Sequence, residues 1–394
     1  MRRRPLTSRG VACLICGVLL MVAANVTTAA ILLYIGVLLL ALPLISLVVV
    51  HLPRRSGSVA RTISTDLLTV GETSRVTVRF DLRALRVPDA LWRDALPPSV
   101  SGDATGEYGR GTASMRYQVT GVRRGVSAIG PLLLRTVDPF GLAQREQEFG
   151  EARTITVVPE IVALAPLAVK VGAAGGSAHT RSSRLGQGSD NLTPRHYVPG
   201  DSMRRIHWRA TAHRGDLMVR QEEEEASPDA LVVLDRSGSR WARPGEEADP
   251  AFEAAVSLCA SAAIRLVQDG YSVDVVDGAG HLIGALRGHE DDRDGLLVAL
   301  AVIAPRGEAR DLASIVGGAP PGPLVYVTGR IDEADAAALK PAGAAAPILF
   351  AAGASEEAVR AASDGGWHAM PLSPDADLAA VWQDALPVAG PRRG

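Results

Sequence analysis

The segment GQGSDNLTPRHYVPGDSMRRIHWRATAHRGDLMVRQEEEE, residues 186–225, determines how the rest of the chain is divided. Arginines are interleaved in it with Tyr197, Trp208 and three histidines. A Pro-Gly-Asp turn at 199–201 interrupts the segment, and four glutamates end it. Neither a core strand nor an amphipathic helix has this composition. The composition therefore predicts that this segment is a connector whose side chains have a specific function.

The sequence on the two sides of this segment follows different patterns. Residues 56–160 contain short alternating or β-branched runs separated by Gly and Pro turns, which predicts a β-sandwich-like domain. Residues 230–388 alternate short apolar runs with helical stretches, which predicts an α/β domain with a parallel sheet covered by helices. Residues 161–229 form the linker and the arginine-rich segment between them. Residues 389–394 are a tail.

Two uncharged apolar runs occupy the N-terminal part, residues 1–55. The second run, 29–50, has 22 residues. As a helix it would span about 33 Å, enough for a bilayer core of about 30 Å. The first run, 11–24, is shorter, and a cleaved signal peptide is the alternative interpretation for it. Because an uncharged second run follows at once, we predict a two-helix transmembrane hairpin.

The arginines around this hairpin predict its orientation. Arg2, Arg3 and Arg4 precede the first run, and Arg54, Arg55 and Arg61 follow the second. By the positive-inside rule both outer ends, and all soluble domains, are expected in the cytoplasm. The expected localisation is the cell membrane, with two spans and the lipid bilayer as a partner.

Composition excludes several kinds of activity. The net charge of −2 argues against bulk nucleic-acid binding by the whole chain. Lys170 and Lys340 are the only lysines, so no GxxxxGK[ST] phosphate-binding loop exists in the sequence. The three cysteines predict neither a disulfide framework nor a zinc site.

A candidate metal loop, DRSGS at 235–239, follows the first predicted strand of the α/β domain. The DxSxS spacing directs one carboxylate and two hydroxyls towards one point, and hard oxygen ligands suit Mg²⁺ or Mn²⁺. The candidate ligands are Asp235, Ser237 and Ser239, with Thr328 from the end of another strand. The alternative is a strand-to-helix turn capped by one of the two serines.

This loop resembles the metal-ion-dependent adhesion site of the von Willebrand factor type A fold, and the pattern of residues 229–386 resembles that fold. The resemblance implies a type A-like C-terminal domain. In this sequence the Thr-Asp-Gly of that family reads Thr-Gly-Arg at 328–330, so the late aspartate is absent from its place. Arg330 becomes a candidate to occupy the site electrostatically.

The arginine-rich segment admits four interpretations. Its arginines and its four terminal glutamates could pair internally and dock the linker onto the α/β domain. It could be a docking surface for another protein, because Arg, Tyr and Trp dominate interface hot spots. Its central arginines with Trp208 could bind an anion or nucleic acid. Last, His207 could act as a general base oriented by Asp201, although no nucleophile lies near them in sequence.

The same segment is similar to the signature of the bacterial proteins called domain of unknown function fifty-eight. That signature is close to R-x-Y-x-x-G-D-x-x-R-x-I-x-W, followed by A-R-x-x-x-L-x-V-R and an acidic end. The matching positions are Arg195, Tyr197, Gly200, Asp201, Arg204, Ile206, Trp208, Ala212, Leu217, Val219 and Arg220. His196, His207 and His213 depart from it. Upstream, 123–125 and 138–142 look like the β-domain pattern of the same family.

This resemblance implies a role beside MoxR-type AAA ATPases, and beside transglutaminase-like membrane proteins, with no established catalytic activity. We expect a membrane-anchored, non-enzymatic adaptor or assembly factor that binds no nucleic acid. The signature positions would then form its partner-binding surface. The alternative is a divalent-metal-dependent hydrolase or ligand-binding protein that uses the DxSxS loop.

Overall fold

The computed structural model describes residues 5–51, 57–82, 90–108, 114–167, 192–198, 203, 206, 208–222, 227–241, 249–307, 321–341 and 343–386. The chain divides into two compact units. The first comprises Met1–Val162 with Arg293–Ala304, and the second Ala163–Asp292 with Pro305–Gly394. Most of the predicted linker, and the arginines at 2–4, 54 and 55, lie outside the described residues.

The N-terminal unit begins with two apolar helices, α1 (Ser8–Thr27) and α2 (Ala30–His51). Both are helical as predicted, and by length and composition both could cross a membrane. The Thr7 hydroxyl caps α1 by accepting a hydrogen bond from Gly10 N at 3.2 Å. A left-handed Thr28 (φ 54°) reverses the chain between the helices.

Among the described residues of the same unit, eleven strands follow, and the runs TSRVTVRFDL at 73–82 and RTITVV at 153–158 are alternating or β-branched as predicted. They are β1 (Gly57–Ile63), β2 (Leu67–Thr69), β3 (Thr73–Leu82), β4 (Ala90–Asp94), β5 (Val100–Ser101), β6 (Thr105–Tyr108), β7 (Ser114–Gly121), β8 (Gly125–Ile129), β9 (Leu132–Val137), β10 (Gln144–Phe149) and β11 (Arg153–Val158). They form sheets β1-β3-β7-β5, β10-β9-β4-β6 and β2-β11-β8. All three sheets contribute to one core, with Leu68, Val119 and Leu134 essentially inaccessible.

In the C-terminal unit the arginine-rich segment forms a small hairpin. Strand β12 (Leu192–His196) pairs antiparallel with β13 (Met218–Glu222), and helix α3 (Trp208–Arg214) lies between them in sequence. Ile206 makes an isolated bridge to Val219.

The rest of that unit is built on a six-stranded sheet. Its elements are β14 (Asp229–Leu234), α4 (Pro250–Gln268), β15 (Ser272–Asp277), β16 (Leu282–Leu286), β17 (Pro323–Thr328), α6 (Glu333–Ala338), β18 (Ala346–Ala352), α7 (Glu356–Asp364), β19 (His368–Leu372) and α8 (Leu378–Ala385). Helix α5 (Glu290–Ala301) follows β16 in sequence, and from Arg293 onward it belongs to the first unit. The strand order is β16-β15-β14-β17-β18-β19. Because β16 runs antiparallel to β15, the sheet is mixed, and the prediction of a wholly parallel sheet was wrong in this respect. β16 returns through a tight turn at 277–281 in which Gly280 has φ +82°.

Helix α4 is the central helix of this sheet. Asp249 caps it by accepting from Ala251 N at 2.9 Å, and Pro250 occupies the first turn, where its missing N–H costs nothing. By length and composition α4 also qualifies as a membrane span, but most of it is buried against its own unit. Its apolar residues therefore form core.

Candidate functional site

The carboxyl ends of β14 and β17 mark the place where a sheet of this strand order usually binds ligands. The chain continues from β14 to β15 on one side and later adds β17 on the other side. Such a switch point leaves a crevice beyond the strand ends. Asp235 follows β14 and Thr328 ends β17, and the structure brings them together. The Thr328 hydroxyl donates to Asp235 Oδ2 at 2.9 Å.

The Asp235 carboxylate is wholly buried, and the chain itself fills its acceptor positions. Asp235 Oδ1 accepts from Ser237 N at 2.9 Å and from Ser237 Oγ at 2.6 Å. Asp235 Oδ2 accepts from Thr328. Ser239, the third candidate ligand, lies in the exposed part of a single 3-10 turn at 238–240. The loop therefore brings two of the three candidate ligands to Thr328.

A guanidinium supplies the positive charge at this site. The Nε atom of Arg240 lies 3.1 Å from Asp235 Oδ2, as an ion pair that lacks the alignment of a hydrogen bond. Its Nη1 and Nη2 donate to the Asp335 carboxylate at 2.9 and 3.2 Å. Burial lowers the pKa of Arg240, but the hydrogen bond to Asp335 and the charges of Asp335 and Asp235 outweigh it and raise that pKa. Arg240 is therefore a permanent cation beside Asp235.

Arg330 does not occupy the site, contrary to the expectation from sequence. Its side chain donates from Nη2 to Trp241 O, and its carbonyl oxygen accepts from Arg240 Nη1 at 3.2 Å. The electrostatic role expected of Arg330 belongs to Arg240. Sequence reasoning missed Arg240 because its contacts depend on the path of the turn after Ser237.

These residues do not fit a divalent cation. Mg²⁺ needs about six oxygen ligands near 2.1 Å in octahedral geometry. Here the Ser237 and Thr328 hydroxyls already bond to Asp235, and Arg240 occupies the neighbouring space, where a second cation would be repelled. Elsewhere in the described part of the chain, no group of three His, Cys, Asp or Glu residues is arranged to hold a metal ion. We therefore propose no metal chemistry at the DxSxS loop.

The loop after β14 also packs closely onto the loop after β17. The Trp241 indole donates to Asp235 O at 2.8 Å and packs edge-on against Phe252, with ring centroids 4.9 Å apart. A Cβ at Gly329 would lie 2.1 Å from Arg240 O, so only glycine permits this approach. The two loops beyond the ends of β14 and β17 are thus in direct backbone contact.

The arginine-rich segment is anchored by apolar residues and leaves others in solvent. Met218 and Val219 are buried, and so is Ile206. Tyr197, which is half-buried, donates its backbone N–H to Leu217 O at 2.8 Å. By contrast the side chain of Trp208 is 68% exposed, although indoles are usually well covered.

The remaining signature positions are distributed as follows. Arg195 lies opposite Val219 in the hairpin, and Arg220 opposite Pro194. Gly200, Asp201 and Arg204 lie outside the described residues, as do His207 and the side chains of Arg195 and Arg220. The internal ion-pair interpretation and the interpretation of His207 and Asp201 as a catalytic pair thus both remain predictions.

Three further apolar side chains of the segment are exposed, and sequence reasoning did not single out two of them. Leu217 is among the signature positions, whereas Val198 and Met203 are not. With Trp208 they form what we call the exposed apolar set. A signal existed in the sequence, because large apolar residues lie here among turn residues without helical or strand periodicity.

Residues 193–317 match the family described as Protein of unknown function DUF58. The chain is also 24% identical over 228 residues to Uncharacterized protein YeaD of Bacillus subtilis, an alignment that covers 55% of each chain. It therefore spans about half the length of that relative.

Two solved structures show a weaker likeness. A conjugative transposon lipoprotein from Bacteroides eggerthii is 13% identical, covers 24% of this chain and 95% of its own, and has a TM-score of 0.16. A lipoprotein from Bacteroides thetaiotaomicron is 17% identical, covers 25% and 84%, and has the same TM-score of 0.16. These TM-scores are too low to support an argument about the fold. The match that bears on the site is that to DUF58, whose range includes both the exposed apolar set and the loop from Asp235 to Arg240.

Proposed function

We propose that this protein is a membrane-anchored, non-enzymatic adaptor or assembly factor that acts with a MoxR-type AAA ATPase. Its apolar helices would hold it in the cell membrane, with the soluble units in the cytoplasm. The exposed apolar set and the arginines around it would be the docking surface. A transglutaminase-like membrane protein is a second candidate partner.

The observation that carries this proposal is the exposure of Trp208. It begins α3, a helix of seven residues with no buried side chain, so packing among the residues that the structure describes does not account for an indole at this position. Trp is the residue type most enriched in interface hot spots, where an indole is buried on binding. Val198, Met203 and Leu217 are further exposed apolar residues of the same segment.

The closed network at Asp235 supports the non-enzymatic part of the proposal. Its carboxylate is buried, satisfied by hydroxyls and paired with Arg240, whereas a general base needs to reach a substrate proton. The strand order, with β14 at the centre and one antiparallel edge strand, supports a type A-like architecture for the C-terminal domain. The single core shared by three sheets supports a β-sandwich-like N-terminal domain.

The partner class rests on the likeness of the arginine-rich segment to its family. That likeness concerns the signature positions, several of which are arginines suited to bidentate pairing with carboxylates. An acidic surface on the ATPase is the chemistry that would complement them.

A binding measurement tests the proposal. The full chain, in detergent, is immobilised and its affinity for the MoxR-type ATPase is compared with that of Trp208→Ala. Loss of a hot-spot indole costs about 2 kcal/mol or more, so we expect binding at least about 30-fold weaker. Leu282→Ala is the matched control, because Leu282 is similarly exposed, at 62%, but lies on edge strand β16. Equal affinity for the parent and Trp208→Ala chains would refute the docking surface.

A further inference from the structure

The turn between β9 and β10, residues Asp138–Leu142, is attached to the start of α1. The Thr7 hydroxyl donates to Gly141 O at 2.6 Å, and Thr7 N donates to Leu142 O at 3.0 Å. A Cβ at Gly10 would lie 2.1 Å from Leu142 O, so the helix approaches the turn as closely as glycine allows. The first turn of α1 therefore lies directly against this β-turn.

The end of α2 is held by the strand that follows the same turn. Arg145 of β10 donates from Nη1 to His51 O at 3.0 Å, and Val50 O lies 3.5 Å from the same nitrogen. These two carbonyls belong to the last turn of α2, so they accept no hydrogen bond within the helix. Both outer ends of the helix pair thus meet one β-hairpin, which fixes that hairpin at the surface where the helices would leave the membrane.

Hydrogen bonds hold the backbone of the turn, yet its aromatic ring is exposed. The buried Asp138 carboxylate accepts from Phe140 N at 3.0 Å and from Ala143 N at 2.6 Å, and Gly141 N donates to Asp138 O at 2.9 Å. The Phe140 side chain is nevertheless 64% exposed. Such bonding holds the backbone of the turn in place and leaves the ring without cover.

We infer that the Asp138–Leu142 turn is a membrane-contacting element and that the Phe140 ring lies in the interfacial layer of the bilayer beside α1. On surface elements that lie on a bilayer, Phe, Trp and Leu side chains enter the boundary between headgroups and acyl chains, where their apolar surface leaves water. The position of Arg9 supports this placement in the headgroup layer. Its Nη1 lies 3.7 Å from where a Cβ of Gly141 would be, so a guanidinium lies beside the turn. At that depth it would be within reach of lipid phosphates. The inference rests on the membrane anchoring in the proposed function.

Spin-label accessibility tests it in the full chain, reconstituted in vesicles of phosphatidylcholine and phosphatidylglycerol. Cys13 and Cys16 are replaced by Ala, whereas Cys259 stays, because burial raises the pKa of its thiol to about 12 and leaves it unreactive. A nitroxide is attached through Phe140→Cys, and its collision rates with oxygen and with a water-soluble nickel chelate are measured. We expect oxygen to be favoured at position 140.

Two labelled controls separate this inference from the anchoring on which it rests. Val122→Cys labels an exposed apolar turn residue of the same unit and should favour the nickel chelate. Leu38→Cys labels an exposed position in the middle of α2 and should favour oxygen strongly. A label at 140 that behaves as the one at 122, while that at 38 reports lipid, overturns the membrane contact alone. An aqueous label at 38 overturns the anchoring as well.

A second variant answers the same question if the label disturbs folding. Phe140→Trp is measured in vesicles of brominated lipid, with the parent chain as the background for its five native tryptophans. Extra emission that bromine quenches supports the inference, and extra emission that bromine leaves unchanged contradicts it.

Discussion

At the scale of single residues, the N-terminal unit depends on one buried ion pair. Arg61 binds the Asp94 carboxylate through two hydrogen bonds, Nε to Oδ2 at 2.9 Å and Nη2 to Oδ1 at 2.7 Å. The Tyr117 hydroxyl donates to Asp94 Oδ2 at 2.6 Å. Burial, and then its bond to Asp94, raise the pKa of Tyr117 so that it stays a donor. Because neither charge of the pair reaches solvent, removing either leaves the other uncompensated.

Asp94→Ala should therefore destabilise the N-terminal unit by about 3–5 kcal/mol. Urea unfolding of the detergent-solubilised chain measures the change. Asp66→Ala is the matched control, since Asp66 pairs with Arg153 at 3.2 Å on the surface, where an ion pair contributes at most about 1 kcal/mol. Equal losses for the two variants would show that burial does not govern the energy of the Asp94 pair.

The Asp138 carboxylate predicts a pH dependence of stability at the Asp138–Leu142 turn. Burial alone raises its pKa, but the N–H donors of Ala143 and Phe140 are among the groups that together lower it below the usual 3.8. A carboxylate with a lowered folded-state pKa stabilises the fold above the unfolded pKa of about 3.9, and this contribution disappears as the pH falls through the folded-state value.

Asp138→Asn should then be less stable than the parent by about 1–2 kcal/mol at neutral pH. This difference in the free energy of unfolding between the two chains should narrow as the pH drops below about 4, because the parent carboxylate becomes protonated. Denaturant unfolding at several pH values measures it, and Asp384→Asn, at an exposed position of α8, is the control that should leave stability unchanged at each pH. A gap that widens in acid would contradict the assignment.

At the scale of elements, α1 and α2 depend on a close contact between two glycines. A Cβ at Gly17 would lie 3.0 Å from Gly36 O, and one at Gly36 would lie 2.8 Å from the Met21 side chain and 3.1 Å from Gly17 O. Small residues allow helices to approach in this way in a membrane, where dispersion contacts replace the hydrophobic effect between helices.

Gly36→Val should push the helices apart and cost about 1–3 kcal/mol, the range of an overpacked contact. Unfolding of the full chain in a denaturing detergent titration, followed by circular dichroism, measures the loss. Val37→Ala changes the neighbouring, outward-facing side chain and should have little effect. If both variants unfold at the same detergent fraction, the glycine contact does not hold the pair together.

The elements also show what the sequence could and could not predict. Short apolar runs bounded by turns can be recognised as strands from the sequence. The run LVVL lies in β14, and LVYVT lies in β17. β16 was missed, since LIGAL contains a glycine and does not alternate. The hairpin of β12 and β13 was missed for another reason. Residues 197–217 separate its two strands, and no local pattern predicts pairing between strands so far apart in sequence.

The candidate site divides in the same way. The meeting of Asp235 and Thr328 followed from a general rule, that parallel strands end at one edge of a sheet. No rule predicted which arginine would pair with the Asp235 carboxylate. Arg240 and Arg330 both stand near strand ends in sequence, and only the turn at 238–240 decides which guanidinium reaches the carboxylate.

At the scale of the whole molecule, the orientation in the membrane is the property on which the proposed function depends. Of the arginines that flank the helices, Arg61 pairs internally with Asp94, so it is not a free flanking charge. The positive-inside argument then rests on the arginines at 2–4, 54 and 55, which still flank both outer ends. The reversal between the helices involves only Thr28 and Ala29, so very little chain would lie on the opposite side of the membrane if both helices span it.

Reporter fusions to the full chain test this orientation. A fluorescent protein fused after Gly394 should fold and emit, and alkaline phosphatase at the same place should be inactive, because phosphatase needs an oxidising compartment for its disulfides. Phosphatase inserted after Thr28 is the matched positive control and should be active. Active phosphatase after Gly394, with an inactive insertion after Thr28, would place the soluble units outside the cell. A cytosolic ATPase could not then be the partner, whatever the chemistry of Trp208.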